Sequence, residues 1–114
     1  MPDKDYYTNQ DDRSKKIREE YLIYLEKILT LIGEKPDVAN VNAKTVFDME
    51  ARIATGCMRR VEMRDPYAVY HKMNMAELKA LTPNLNWDIY FKGAGVPATD
   101  AININQPEYL KKLN

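Results

Sequence analysis

The clearest pattern along the chain is a long run of apolar residues at helical spacing, beginning after Asp11. The apolar residues that recur every three or four positions are Ile17, Tyr21, Tyr24, Leu25, Ile28 and Ile32, with Leu22 and Leu29 widening the stripe. This is the spacing of one face of an α-helix. Asp11 and Asp12 can cap its start, and Gly33 can end it in a left-handed conformation. The pattern predicts a first long helix over residues 12–32.

A second long helix is predicted from about Asn42 to Arg60, after a loop over residues 33–40 that contains Pro36 and Asp37. The apolar residues of this helix are Val46, Phe47, Ile53, Ala54, Cys57 and Val61. Gly56 is expected to be a weak point inside it. A proline then breaks the pattern at position 66, and it is expected to open the next helix at its first position.

The remaining elements are predicted to be short. Asn74 and Glu77 have the spacing of a capping box, which predicts a helix that ends before Pro83. Asn86 is expected to cap a helix carrying Trp87, with residues 93–95 ending it. Residues 101–104 alternate apolar and polar and predict an extended segment, and residues 105–113 predict a last helical turn or two. The expected fold class is all-α: a single helical domain over residues 1–114, with two long helices plus several short ones.

Composition excludes several classes of partner. The 114 residues are 45% apolar, and 17 basic residues balance 17 acidic ones. A nucleic-acid-binding protein normally has a basic excess, so no nucleic-acid partner is expected. No apolar run is long enough to span a bilayer, and the polar, Asp-rich first ten residues do not resemble a signal peptide. Cys57 is the only cysteine, so no intramolecular disulfide is possible.

The residues of hydrolytic and nucleophilic catalysis are missing or isolated. His71 is the only histidine, whereas the zinc motif HExxH needs two histidines one helical turn apart. Cys57 lies on the apolar side of the second helix, where a cysteine usually acts as a small hydrophobe. Ser14, the only serine, has no Gly-x-Ser-x-Gly context. We therefore assign no catalytic residue, no metal ligand and no cofactor to this chain, and its sequence indicates no substrate-binding residue.

Short strings of distinctive residues occur along the chain. Residues 1–7 resemble a Leu-Pro-x-x-Asp-Tyr-Tyr string, and Met49-Glu50 is an apolar-Glu pair. The motif residues along the chain are Asp5, Tyr6, Tyr7, Arg64, Asp65, Pro66, Tyr70 and Trp87. Together these strings resemble the N-terminal, non-catalytic region of the neprilysin and endothelin-converting-enzyme family of zinc metallopeptidases, and they cover essentially the whole chain in the family's order. His71 departs from the family's usual Asn, and Asn74 from its usual Thr or Ser.

The resemblance implies a function that the residues alone do not indicate. In this family the zinc ligands lie in HExxH and a downstream glutamate motif, none of which exists here, so zinc is implied for the parent enzyme and not for this chain. The family's helical N-terminal region packs over the catalytic domain and encloses a chamber that admits peptides. The chain is thus expected to be a lid-type segment of a zinc metalloendopeptidase. Its implied partners are the catalytic domain of the same parent chain and the peptides that the parent degrades.

Two other functions remain open at this point. The first is a free-standing helical protein-interaction module without enzymatic activity. The second is a small metal-binding or redox protein based on Cys57 and His71. A reading frame that continues through an HExxH motif would favour the peptidase over both.

Three motif residues carry specific structural expectations. Trp87 is expected to be largely buried where the short helices meet the two long ones. Asp65 is expected to cap the helix after Pro66, with Arg64 pairing to a carboxylate across this corner. The alternative is that Arg64 binds a peptide carboxylate in the parent enzyme.

Overall fold

The computed structural model describes Met1 and residues 3–114. In chain order its elements are α1 (Lys4–Thr8), α2 (Asp12–Leu31), α3 (Pro36–Gly56), a 3₁₀ turn (Glu62–Arg64), β1 (Lys72–Met73), α4 (Met75–Leu81), α5 (Trp87–Gly93), β2 (Ile102–Asn103) and α6 (Pro107–Leu113). Helices make up 62% of the structure, so the predicted all-α class with two long helices is confirmed. The short helix α1 and the strand β1 are additions to the predicted elements.

Contacts within the chain divide it into two compact units, Met1–Thr55 and Gly56–Asn114. The first unit contains α1, α2 and nearly all of α3, and the second contains the short elements. The expectation of one domain over residues 1–114 stays a prediction.

The first long helix, α2, begins and ends where the sequence predicts. Asp11 accepts hydrogen bonds from the backbone N–H and the hydroxyl of Ser14, and these bonds lower the pKa of the Asp11 carboxyl. At the other end Gly33 has a φ of +106°. Its N–H donates to the carbonyl of Thr30, and the N–H of Glu34 donates to the carbonyl of Leu29. This pair of bonds is a Schellman motif, which needs a left-handed residue where Gly33 stands.

The second long helix, α3, starts six residues earlier than predicted, at Pro36 instead of Asn42. Its first backbone bond runs from the N–H of Ala39 to the carbonyl of Lys35. Pro36 thus stands in the first turn, where a helix needs no N–H from it and where its fixed φ is already helical. The expected loop over residues 33–40 is therefore correct only for residues 33–35, because Pro36 begins a helix. Gly56 is the last residue of α3 and not an internal one.

No helix begins at Pro66, which contradicts the sequence prediction. The chain passes from the 3₁₀ turn into further turns over residues 66–69. The side chain of Asp65 accepts a hydrogen bond of 2.9 Å from the N–H of Tyr67, which closes a local turn without capping a helix. The N–H of Tyr70 then donates to the carbonyl of Tyr67. A side chain that bonds the backbone two residues ahead offers an alternative to helical bonding, and here that alternative prevails.

The short elements of the second unit follow their predicted signals closely. Asn74 and Glu77 form both bonds of the capping box at the start of α4. Asn86 caps α5 by accepting from the N–H of Ile89. The predicted extended segment is β2, which pairs antiparallel with β1 so that Lys72 is opposite Asn103.

Within the second unit, helix α6 passes very close to Gly56. A Cβ atom on Gly56 would lie 2.5 Å from the carbonyl oxygen of Glu108 and 2.8 Å from Cγ of Lys112. Real Cβ atoms do not approach backbone this closely, so the approach of α6 requires a glycine at this position.

The buried core of the described residues is small. Its apolar members are Ala39, Ala43, Ala54 and Leu78. The apolar stripe of α2 contains no fully buried residue, and Ile32 just beyond the helix is 73% exposed. Its half-buried members are Ile17, Tyr21, Leu22, Leu25 and Leu29. Apolar spacing alone therefore predicts that the segment is helical, but it does not predict how deeply the apolar face is buried.

Candidate functional site

The tyrosines of the N-terminal motif lie beside a carboxylate that joins three helices of the first unit. The hydroxyl of Tyr7, on α1, donates a hydrogen bond of 2.9 Å to Oε2 of Glu50, on α3. The hydroxyl of Tyr21, on α2, donates to the other oxygen, Oε1, at 3.1 Å. Glu50 therefore connects α1, α2 and α3 through its two carboxylate oxygens.

Aromatic packing and a cation fix the same group of residues. The rings of Tyr7 and Tyr21 lie 5.9 Å and 6.5 Å from the ring of Phe47. The guanidinium of Arg18 donates to the backbone carbonyl of Tyr6 at 3.0 Å, which ties α1 to α2. Tyr6 and Tyr7 therefore connect α1 to the two long helices.

The electrostatics of this cluster favour the protonated tyrosine. Burial raises the pKa of the Tyr21 phenol above its ordinary value, and the hydrogen bond to Glu50 raises it further. A phenol that holds its proton so firmly is a poor general acid or nucleophile near neutral pH. The Tyr7–Glu50–Tyr21 cluster is therefore suited to joining helices and not to catalysis.

Sequence reasoning found Tyr7 but missed the role of Glu50. The signal was present, because Glu50 lies three residues after Phe47 and four before Ala54, on the apolar side of α3. A carboxylate on such a face needs hydrogen-bond donors. Nothing in the spacing of the eight tyrosines indicates which of them would supply these donors.

The motif residues of the second unit form turns and a strand end. Arg64 ends the 3₁₀ turn, and no ion pair of its guanidinium occurs among residues 3–114. The expected pairing of Arg64 with a carboxylate is therefore absent from the described part of the chain. Tyr67 and Tyr70 are exposed around the turn closed by Asp65.

His71 takes part in the backbone pairing beside β1. Its N–H donates to the side-chain oxygen of Asn103 at 2.7 Å, and its Nδ1 lies 3.1 Å from the carbonyl oxygen of Ile104. Among the described residues, no group of three or more His, Cys, Asp or Glu side chains could hold a metal ion.

Trp87 anchors an aromatic cluster on α5. Its indole N–H donates to the hydroxyl of Thr82 at 2.7 Å, and Thr82 is fully buried. The Trp87 ring lies 5.7 Å from the Phe91 ring and 5.6 Å from the Tyr90 ring. Trp87 itself is neither fully buried nor exposed, and its expected place where the short helices meet the two long ones stays a prediction. One edge of the cluster faces an open groove instead of a core.

In the described part of the chain, no helix is both long enough and apolar enough to cross a bilayer.

The whole chain matches the sequence model of one protein family. Residues 1–114 match the model for the N-terminal region of peptidase family M13. The chain belongs to peptidase family M13. Neprilysin-3 of Drosophila melanogaster is 31% identical over 120 residues, and endothelin-converting enzyme 1 of Bos taurus is 29% identical over 119 residues. Both alignments cover 100% of this chain but only 15% and 16% of those proteins.

A solved structure shows that this M13 region keeps its fold at low identity. The zinc metalloprotease Zmp1 of Mycobacterium tuberculosis, in an open state, superposes with a TM-score of 0.87 at 21% identity. The match covers 99% of this chain and 18% of Zmp1. The match to the family model confirms the family expected from the residue strings. The solved structure shows that the fold is shared with a region of a much longer protein.

Proposed function

We propose that this M13 region is the non-catalytic, lid-type segment of a zinc metalloendopeptidase that degrades peptides. By lid we mean a helical segment that packs over the catalytic domain of the same polypeptide and restricts what reaches its active site. The observation that carries the proposal is the distribution of apolar residues between the core and the surface.

Large apolar side chains are abundant on the described surface and nearly absent from the core. Sixteen of them are exposed, among them Ile23, Tyr24, Leu31, Val41 and Met49, whereas three of the four buried apolar residues are alanines. Extended apolar surface on a soluble domain usually marks a surface that another protein segment covers. A helical segment that belongs to a larger peptidase would need such a surface.

The exposed apolar residues of the first unit form strips at helical spacing. Tyr24, Ile28 and Leu31 lie along one flank of α2, at positions i, i+4 and i+7. Val38, Val41 and Met49 lie along one flank of α3. These strips are the surfaces through which the lid would contact the catalytic domain.

The zinc of the proposed enzyme would be held outside these 114 residues. The single histidine, His71, has one ring nitrogen beside a backbone carbonyl, and the matched stretch is about a sixth of the relatives' length. We therefore expect the isolated chain to cleave no peptide and to bind no zinc stoichiometrically. Elemental analysis that found one tightly bound zinc per chain would contradict this expectation and favour the metal-binding alternative.

The lid role can be tested in the full-length polypeptide by comparing two substrates. One is a short peptide, and the other is the same sequence held within a folded protein. The full-length enzyme is expected to cleave the first, to lose this activity on zinc chelation, and to leave the second intact. Ile28→Asp, on the apolar strip of α2, is expected to increase cleavage of the folded substrate, because a buried carboxylate would loosen the lid.

Thr30→Asp is the matched control, because Thr30 is exposed on α2 away from that strip. It introduces the same charge within one turn of Ile28 and is expected to leave substrate selection unchanged. Equal selectivity in wild type and both variants, with peptidase activity intact, would contradict the lid role. A natural polypeptide without HExxH would contradict the peptidase and favour the free-standing interaction module.

A further inference from the structure

The second unit contains an apolar groove on the face of α5 that carries Trp87. Side chains from α5, β2 and α6 surround it, and its volume is about 460 Å³. The lining residues on which the argument rests are Trp87, Tyr90, Phe91, Val96, Ile102 and Tyr109. The groove is open to solvent, and Tyr90 is 61% exposed at its edge.

Among the residues that the structure describes, no charged side chain lines the groove. Its polar lining residues are uncharged and include Asn105 and Gln106. The charges of α5 are Asp88 and Lys92, which are not among the lining residues, and Asp88 pairs with Lys79 at 2.8 Å. A segment that binds in this groove therefore gains binding free energy by burying apolar surface. A charged side chain placed there would weaken binding, because it would be removed from water without a partner.

The lining is fixed before any partner binds. Trp87 is held by its bond to the buried Thr82, whose hydroxyl in turn donates to the carbonyl of Leu78. The three aromatic rings of α5 lie 5.5–5.7 Å apart in edge-to-face and stacked pairs. A surface whose side chains are already ordered pays little conformational entropy on binding.

We propose that this groove is the binding site for an uncharged, apolar segment of the remaining polypeptide of the same peptidase. The inference rests on the proposed function, in which this region is part of a longer chain. The relatives are about six times as long as the matched stretch, so most of a family member lies outside it. A neutral aromatic groove offers what an apolar helix or extended segment from that remainder would bury.

Two residues of α5 make the test specific. Tyr90 lines the groove, whereas its neighbour Ile89 does not, although the two are similarly exposed at 61% and 69%. In the full-length polypeptide, Tyr90→Asp is expected to lower Tm by about 2 °C or more, because it brings a carboxylate into a covered apolar groove. Ile89→Asp is expected to leave Tm nearly unchanged. In the 114-residue chain alone, Tyr90→Asp loses only its ring contacts with Trp87 and Phe91, so it is expected to lower Tm more than Ile89→Asp but by less than in the full-length polypeptide.

The possible results distinguish the groove assignment from the proposed function and from self-association. Equal effects of the two variants in the full-length polypeptide would overturn the inference. Peptidase activity and zinc content, measured on the same wild-type sample, test the proposed function independently. If that sample is an active zinc peptidase and Tyr90→Asp has no effect, only the groove assignment fails. If the 114-residue wild-type chain forms a dimer and Tyr90→Asp abolishes that dimer, the groove binds a second copy of the chain and the inference also fails.

Discussion

The hydroxyl of Tyr21 on α2 donates a hydrogen bond of 3.1 Å to a carboxylate oxygen of Glu50 on α3, which joins the two long helices. Tyr21→Phe removes this bond and leaves the ring in place against Phe47. It is expected to lower the free energy of unfolding by about 1–2 kcal/mol, because the acceptor is a charged group. Urea denaturation would measure the change.

Tyr24→Phe provides the control for that substitution. Tyr24 is 56% exposed on α2, three residues from Tyr21. Its hydroxyl is expected to contribute little, so equal losses for the two variants would contradict the role of Glu50.

The same pair of residues predicts how stability depends on alkaline pH. Burial and the bond to Glu50 raise the pKa of Tyr21 above its ordinary value of 10.0. The folded protein therefore holds this proton more firmly than the unfolded chain does. The resulting stability is fully present below pH 10 and decreases as the pH rises through the folded-state pKa. Thermal melts between pH 8 and pH 11 should show wild type and Tyr21→Phe converging at the alkaline end.

The close approach of α6 to Gly56 predicts a strong effect of one methyl group. Gly56→Ala is expected to destabilise the protein by about 1–3 kcal/mol, because the new Cβ would overlap the Glu108 carbonyl. Gly93→Ala, at the end of α5, is the matched control, since a Cβ there meets nothing within 4 Å. Its effect should be neutral or stabilising, because alanine favours helix more than glycine does. Denaturant midpoints that rank the two variants in the opposite order would contradict this account.

Two substitutions of Trp87 separate its ring packing from its hydrogen bond. Trp87→Ala is expected to cost about 3 kcal/mol, at the low end for a truncated tryptophan, because the side chain is only half-buried. Trp87→Phe keeps a ring beside Phe91 but loses the bond to Thr82, and should cost about 1 kcal/mol. Calorimetry would measure the melting temperatures. If Trp87→Ala and wild type had the same melting temperature, the assignment of Trp87 to the core would be wrong.

Local signals in the sequence were sufficient to predict where several of the helices begin and end. Gly33 and Asn74 lie next to the helix ends that they fix, so the residues around each position determine its structure. Pro36 shows the limit of such reasoning, because a proline is equally compatible with a loop and with the first turn of a helix. The surrounding residues did not separate these two choices.

Features that depend on distant residues were not predictable in the same way. The pairing of β1 with β2 joins Lys72 to a residue 31 positions later, and two-residue strands have almost no pattern of their own. The carboxylate of Glu50 bonds Tyr7 and Tyr21, which lie 43 and 29 positions earlier. The partial exposure of the α2 stripe could not be predicted either, because apolar spacing does not tell whether the covering surface lies within the same 114 residues.

The single tryptophan gives the second unit its own optical signal. Trp87 lies in the unit Gly56–Asn114, and no other tryptophan occurs in the chain. Its intrinsic fluorescence therefore reports the state of that unit, while far-ultraviolet circular dichroism is dominated by the long helices α2 and α3. If the two signals change at different denaturant concentrations, the units unfold separately. The indole bonded to Thr82 thus allows the unfolding of the second unit to be followed without an added label.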